Sequence, residues 1–151
     1  MALDDDIRIL SGVSLFDGFT QEQLRLLAFG TETIRLSSGR ELYREGAAAD
    51  GGFVVATGTV GLYRNKGGER VRVGTAGPGA ILGEFALIAE SRRLTGAMAE
   101  TDIEVIRLNR SLFRRILQEY PDVAAQLHHR IATELQDMIG RIEQLAPKFR
   151  S

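Results

Sequence analysis

Apolar and polar residues change rhythm twice along this chain of 151 residues, and the changes separate a strand-rich middle from helical ends. In Glu69 to Val73, Val71 and Val73 face one side while Arg70 and Arg72 face the other, and Val60 and Leu62 alternate in the same way with Gly61 and Tyr63. Both runs read as half-buried antiparallel strands. Asn65-Lys66-Gly67-Gly68 between them supplies residues that tolerate positive φ, which predicts a hairpin over Thr59 to Thr75. Further strands are predicted at Thr33 to Ser37, Glu41 to Arg44, Gly52 to Thr57, Thr95 to Ala99 and Ile103 to Leu108. Thirteen of the 17 glycines fall between Gly39 and Gly96, the punctuation that many short strands require.

The flanks keep a helical period. Thr20 followed three residues later by Gln23 forms a capping box ahead of Leu24, Leu26, Leu27 and Phe29, and Gly30 ends that helix. Asn109 caps a second helix, Arg110 to Glu119, with Leu112, Phe113, Ile116 and Leu117 on its apolar face. Pro121 stands where a first-turn proline belongs, and the pattern runs from Asp122 to Leu145 before Pro147. That helix is about 36 Å long at 1.5 Å per residue, too long merely to cover one small barrel. The predicted class is therefore mostly β with flanking helices (α+β). It is an antiparallel β-roll or jelly roll over about 31–109, with a short N-terminal helix and C-terminal helices over about 110–145 that end in a long dimerisation helix.

A 44% hydrophobic, 26% charged chain of this length fits one domain with a real core and leaves no room for a second. The 19 basic and 20 acidic residues nearly cancel, so neither half is a nucleic-acid tail. Seventeen arginines against two lysines are scattered and balanced by acids. With no cysteine, disulfides, thiolate metal sites and cysteine nucleophiles are excluded. The opening MALDDDIRIL is acidic where a signal peptide is basic, and no apolar run approaches the roughly 20 residues of a membrane span. A soluble protein of the cytoplasm, with no membrane partner, is expected.

The segment richest in chemistry is Gly77-Pro78-Gly79-Ala80-Ile81-Leu82-Gly83-Glu84-Phe85-Ala86-Leu87-Ile88, where one carboxylate stands in an apolar run. A buried carboxylate is costly without a partner. Arg93, nine residues on, can return alongside Glu84. One reading is a structural salt bridge. The other is an anion held by a guanidinium fork and by amides of a tight glycine turn, with the carboxylate accepting a hydroxyl hydrogen bond. Residue type and spacing do not separate the two.

The chain resembles the cyclic nucleotide-binding domain family, in particular the ligand-binding half of bacterial catabolite activator-like regulators. The resemblance runs from about Leu10 to Leu145. It is carried by Leu15-Phe16, the Gly39 turn, Tyr43-Arg44-Glu45-Gly46 with Ala49-Asp50, Gly58, Gly77-Pro78-Gly79, Gly83-Glu84-Phe85-Ala86-Leu87, Arg93 and Leu112-Phe113. It implies a β-roll in which Glu84 holds a ribose 2′-hydroxyl and Arg93 the cyclic phosphate. Amides near Gly83, Phe85 and Leu94 complete the cradle, and Ala86 lies in the same turn. Leu94 stands where a hydroxyl residue is common in the family, and a threonine there goes with guanine preference, so the resemblance implies cyclic AMP rather than cyclic GMP. Alignment of the long helix places the base-contacting positions on Met138 and Ile139, both apolar here. Thr95 can return one hydroxyl to the site, although threonine is also simply a good strand residue.

The adjacent His128 and His129 point about 100° apart on a helix, so they are not a metal pair and read as ordinary helix residues. No catalytic residue, metal or cofactor is assigned. In activator-like regulators a helix-turn-helix domain follows the long helix, and this chain ends at Ser151, so no direct DNA binding is expected. Leu127, Ile131, Leu135, Met138, Ile142 and Leu145 form a stripe that outlasts the barrel and predicts a parallel homodimer. The expected function is a stand-alone cyclic nucleotide-binding regulatory module without catalysis. The alternatives are an interaction scaffold that has lost its nucleotide, or the sensory fragment of a transcription regulator.

Overall fold

Local signals in the sequence fix most element ends in the computed structural model, which describes residues 2–145, excluding the side chains of Ala2, Met138 and residues 141–145. Helix α1 (Ala2–Ser11) and a 3-10 turn, η1 (Ser14–Phe16), precede α2 (Gln21–Phe29). At the start of α2, Thr20 and Gln23 close the capping box reciprocally. Ten strands follow: β1 (Glu32–Leu36), β2 (Glu41–Tyr43), β3 (Ala48–Ala49), β4 (Gly51–Thr57), β5 (Val60–Lys66), β6 (Glu69–Ala76), β7 (Ile81–Leu82), β8 (Ser91–Arg92), β9 (Gly96–Ala99) and β10 (Ile103–Asn109). A second 3-10 turn, η2 (Glu84–Leu87), interrupts them between β7 and β8. Asn109 caps α3 (Arg110–Glu119) through the Ser111 amide, and Pro121 opens α4 (Pro121–Leu145).

The strands form two four-stranded antiparallel sheets, in the orders β1-β10-β4-β7 and β2-β9-β5-β6, with β3 and β8 pairing separately. This is the expected mostly β, jelly-roll architecture with flanking helices. One core lies between the sheets, around Phe53, Val55, Val60, Leu82 and Val105. The other joins Leu10, Phe16, Leu27, Leu108, Phe113, Leu127 and Ile131, and so fastens all four helices to the roll.

Two expectations about exposure, for β6 and for α4, are corrected. Val71 and Val73 are 36% and 42% exposed, so β6 is not half-buried. It is an edge strand, paired on one side only, with β5. In α2 the buried residues are Gln23, Leu24, Leu27 and Ala28, whereas Leu26 is exposed and Phe29 is 72% exposed. Only the positions three and four apart face the roll. On α4, Leu127 and Ile131 are spent in the chain's own core and are not available to a second copy. The stripe left over starts at Leu135, which is half-buried, while Met138, Ile142 and Leu145 lie outside the described side chains.

Candidate functional site

The site is built around the turn from β7 into η2. Gly83 adopts φ 70°, a left-handed conformation that glycine enters freely, and a Cβ there would collide with Nη1 of Arg93. Glycine is therefore needed twice over, for the turn and for the guanidinium lying against it. Arg93 follows β8, where its amide donates to the Ala47 carbonyl (2.8 Å) and its carbonyl accepts from Gly46 (2.8 Å). Arg110 at the start of α3 ties this region together, donating to the carbonyls of Ala49 (3.3 Å) and Ala89 (3.0 Å).

Arg93 is 7% exposed, and its Nη1 has no hydrogen-bond partner among the described residues. Its Cζ sits 4.5 Å from the ring centroid of Tyr43 and 5.5 Å from that of Phe53, and the two rings stack on each other. Ring faces offset part of the cost of burying the cation. They do not satisfy its N–H groups. Burial accordingly depresses the guanidinium pKa, against the pull of Tyr43 and Asp50. The Tyr43 phenol is raised by its own burial, while Arg93 and a hydrogen bond with Thr95 pull it down.

Glu84 does not pair with Arg93, so the salt-bridge reading of the two is set aside. Glu84 is half-buried on the turn that contacts α4. Burial first, then the Glu134 carboxyl, pushes its pKa up to about 7. Phe85 packs partly buried against the helical core. Ala86 is 1% exposed, and its amide donates to the Gly83 carbonyl at 3.0 Å. Leu94 is 45% exposed, next to the arginine in sequence, while Thr95 is half-buried just before β9. Ile139 is exposed on α4, and Met138 is outside the described side chains. The structure thus brings Gly83 and Arg93 together beside Tyr43. It adds Phe53 and Glu134, which the sequence reading did not single out. Glu134 was visible as an acid three residues after Ile131, on the inward face of α4.

Two surface depressions, about 230 and 260 Å³, are lined by neither Glu84 nor Arg93. The site is recognised by its chemistry: a buried cation with an unused donor, at a glycine turn, beneath an aromatic pair.

A roll of this topology carries a buried cation with an unused donor at its glycine turn, an arrangement whose chemistry suits an anion. Residues 33–120 match the cyclic nucleotide-binding domain family, and the chain belongs to it. A solved cyclic nucleotide-binding-like protein from Brucella abortus is 58% identical, with a TM-score of 0.70 over 76% of this chain and 99% of that one. The regulatory domain of Toxoplasma gondii PKA, solved with cAMP, shares the fold at a TM-score of 0.72 and 22% identity. That match covers 85% of this chain and 50% of that one. Lysophospholipase nte1 of Aspergillus fumigatus is 30% identical over 114 residues, which are 75% of this chain and 8% of that protein. The chain thus spans under a tenth of the length of this curated relative.

Proposed function

We propose that this chain is a regulatory module that binds cyclic AMP and has no catalysis of its own. The observation that carries the reading is the buried Arg93 guanidinium with an unpartnered Nη1 at the Gly83 turn. A phosphate there receives a charge-assisted hydrogen bond in a site where an unpaired cation is otherwise a liability. Arg93 takes the cyclic phosphate, the turn from Gly83 to Phe85 closes around it, and Glu84 takes the ribose 2′-hydroxyl. Leu94 provides no hydroxyl to a guanine, which favours cyclic AMP, the nucleotide in the Toxoplasma structure. The lysophospholipase activity of the longer relatives is not carried over.

The reading predicts thermal stabilisation by nucleotide. A ligand at a hundred times its Kd adds about 2.7 kcal/mol, so millimolar cyclic AMP reveals even ten-micromolar affinity in a melting experiment. Cyclic AMP raises the Tm, and cyclic GMP raises it no more. Unchanged melting with both nucleotides would replace the sensor by the scaffold reading.

We further infer that α4 pairs with a second copy beyond the core-facing Leu127 and Ile131. Its 25 residues reach past the roll, and Leu135 and Ile139 retain exposed apolar surface. Sedimentation at micromolar concentration should give about twice 16.6 kDa, and Leu135→Asp should halve that mass. A 16.6 kDa species indifferent to the substitution refutes the pairing. The charge is near neutrality, −1 overall, and no described helix is long and apolar enough to cross a membrane.

A further inference from the structure

The two rings against Arg93 come from the two sheets of the roll. Phe53 of β4 is 7% exposed, in the core between them. Tyr43 ends β2 in the other sheet, where the β2 register shifts against β9 between Glu41 and Tyr43. The shift sets Tyr43 opposite the buried Ala97, on the side of the sheet that faces the core. Its ring centroid lies 5.9 Å from that of Phe53, and its face takes the Arg93 Cζ at 4.5 Å, closer than Phe53 at 5.5 Å.

Among the described residues no acid pairs with Arg93, and its buried Nη1 makes no hydrogen bond. The acids that flank the Gly46-Ala47 backbone to which Arg93 is bonded are engaged elsewhere. Glu45 pairs with Arg64 (3.4 Å) and accepts from the Asn65 amide (2.8 Å), and Asp50 accepts from Arg107 (2.6 Å). An acid in the place of Tyr43 would hold the guanidinium by engaging its N–H groups and cancelling its charge. A ring face attracts the charge and leaves the donors unused. A long side chain with many rotamers is thereby kept at one spot, against Gly83, where no Cβ intrudes.

We propose that Tyr43 is a positioning residue for the nucleotide site: the face of its ring fixes the Arg93 guanidinium at the Gly83 turn with its donors free for a phosphate. This rests on the cyclic nucleotide reading and deepens it, because it names what holds the cation ready. Phe53 stacks with Tyr43 and belongs to the core, so the test falls on the half-buried Tyr43. Without its ring the guanidinium is seated only part of the time, and the apparent Kd rises by the reciprocal of that fraction. A cation–ring contact corresponds to a preference of about tenfold. Tyr43→Leu, which keeps an apolar side chain there, should therefore weaken cyclic AMP binding about tenfold. Tyr43→Phe keeps the ring face and should stay within about twofold of the wild type.

A graded series separates the charge on the ring face from its shape. Phenylalanine and its difluorinated and pentafluorinated forms, placed at position 43, are nearly isosteric, while fluorine withdraws negative charge from the ring face step by step. Affinity for cyclic AMP should fall at each step, whereas a ring that only fills space gives equal affinities. Calorimetric titration of cyclic AMP into the wild type and each variant reads the affinities, with circular dichroism to establish that each is folded. In the ligand-free protein the Arg93 Nε–H proton resonance reads the cation itself. The ring current of Tyr43 displaces it in the wild type and in Tyr43→Phe, and it should move toward that of an exposed arginine in Tyr43→Leu. The fluorinated series decides alone if Tyr43→Leu does not fold. Wild-type affinity in Tyr43→Leu, or equal affinities across the series, overturns the proposal and leaves nucleotide binding standing. A wild type that binds no cyclic AMP overturns both.

Discussion

Arg93→Met is expected to abolish cyclic AMP binding and, in the same protein, to leave the ligand-free fold more stable. Both effects follow from one cation. In the proposed complex, Arg93 is the buried charge that meets the phosphate, and removing one partner of a buried ion pair costs about 3 to 5 kcal/mol. That corresponds to a loss of two to three orders of magnitude in affinity, enough to lose binding at practical concentrations. Without nucleotide, the same guanidinium is 7% exposed with Nη1 unpartnered, a group whose burial costs about 1 to 3 kcal/mol. The faces of Tyr43 and Phe53 return part of this, about 0.5 to 2 kcal/mol. Methionine keeps the apolar contacts with those rings and loses the stranded donors. A net gain of about 1 kcal/mol is expected, a rise in Tm of about 2–4 °C for a domain of this size. Calorimetry with and without cyclic AMP reads both numbers. A variant that melts well below the wild type and still binds would show that the arginine is a structural member.

The largest loss of stability is expected at Phe113. It is fully buried at the meeting of α3, η1 and α2, with its ring centroid 6.0 Å from Phe16 and 6.3 Å from Phe19. Truncation to alanine removes the ring and opens a cavity among side chains that cannot close over it, at a cost of about 3–5 kcal/mol. For a domain with a total stability of about 5–15 kcal/mol this is a large share, and the Tm should fall by about 10 °C. Phe29→Ala is the matched control: its ring is 72% exposed, and it should change stability by less than about 0.5 kcal/mol. Chemical denaturation of the two variants compares them directly. Equal losses would mean that the helices pack on the roll through a different face.

These two phenylalanines also mark what was legible in the chain. Both stand in apolar helical runs, but Phe113 shares its face with Ile116, whereas Phe29 falls opposite Leu24 and Ala28 across a helix of two and a half turns. Caps were read correctly because they are local: Thr20 with Gln23, and Asn109 with Ser111, need nothing outside their own turn. The two-residue strands β3, β7 and β8 carry too few positions for an alternation to show, yet β3 and β8 position Arg93. Exposure of β6 depends on which strands flank it, which only the sheet order reveals. The Glu84–Arg93 pairing was an inference from proximity in sequence. The acid that helps raise the Glu84 pKa, Glu134, is fifty residues away on α4, one turn beyond the buried Ile131.

The central claim is that the buried guanidinium awaits a nucleotide phosphate, and the structure of the chain crystallised with cyclic AMP tests it most directly. The account predicts the cyclic phosphate within hydrogen-bond distance of Arg93 Nη1 and the ribose 2′-hydroxyl on the Glu84 carboxylate. A structure in which Arg93 Nη1 remains unpartnered, with the nucleotide absent or bound elsewhere, would contradict it.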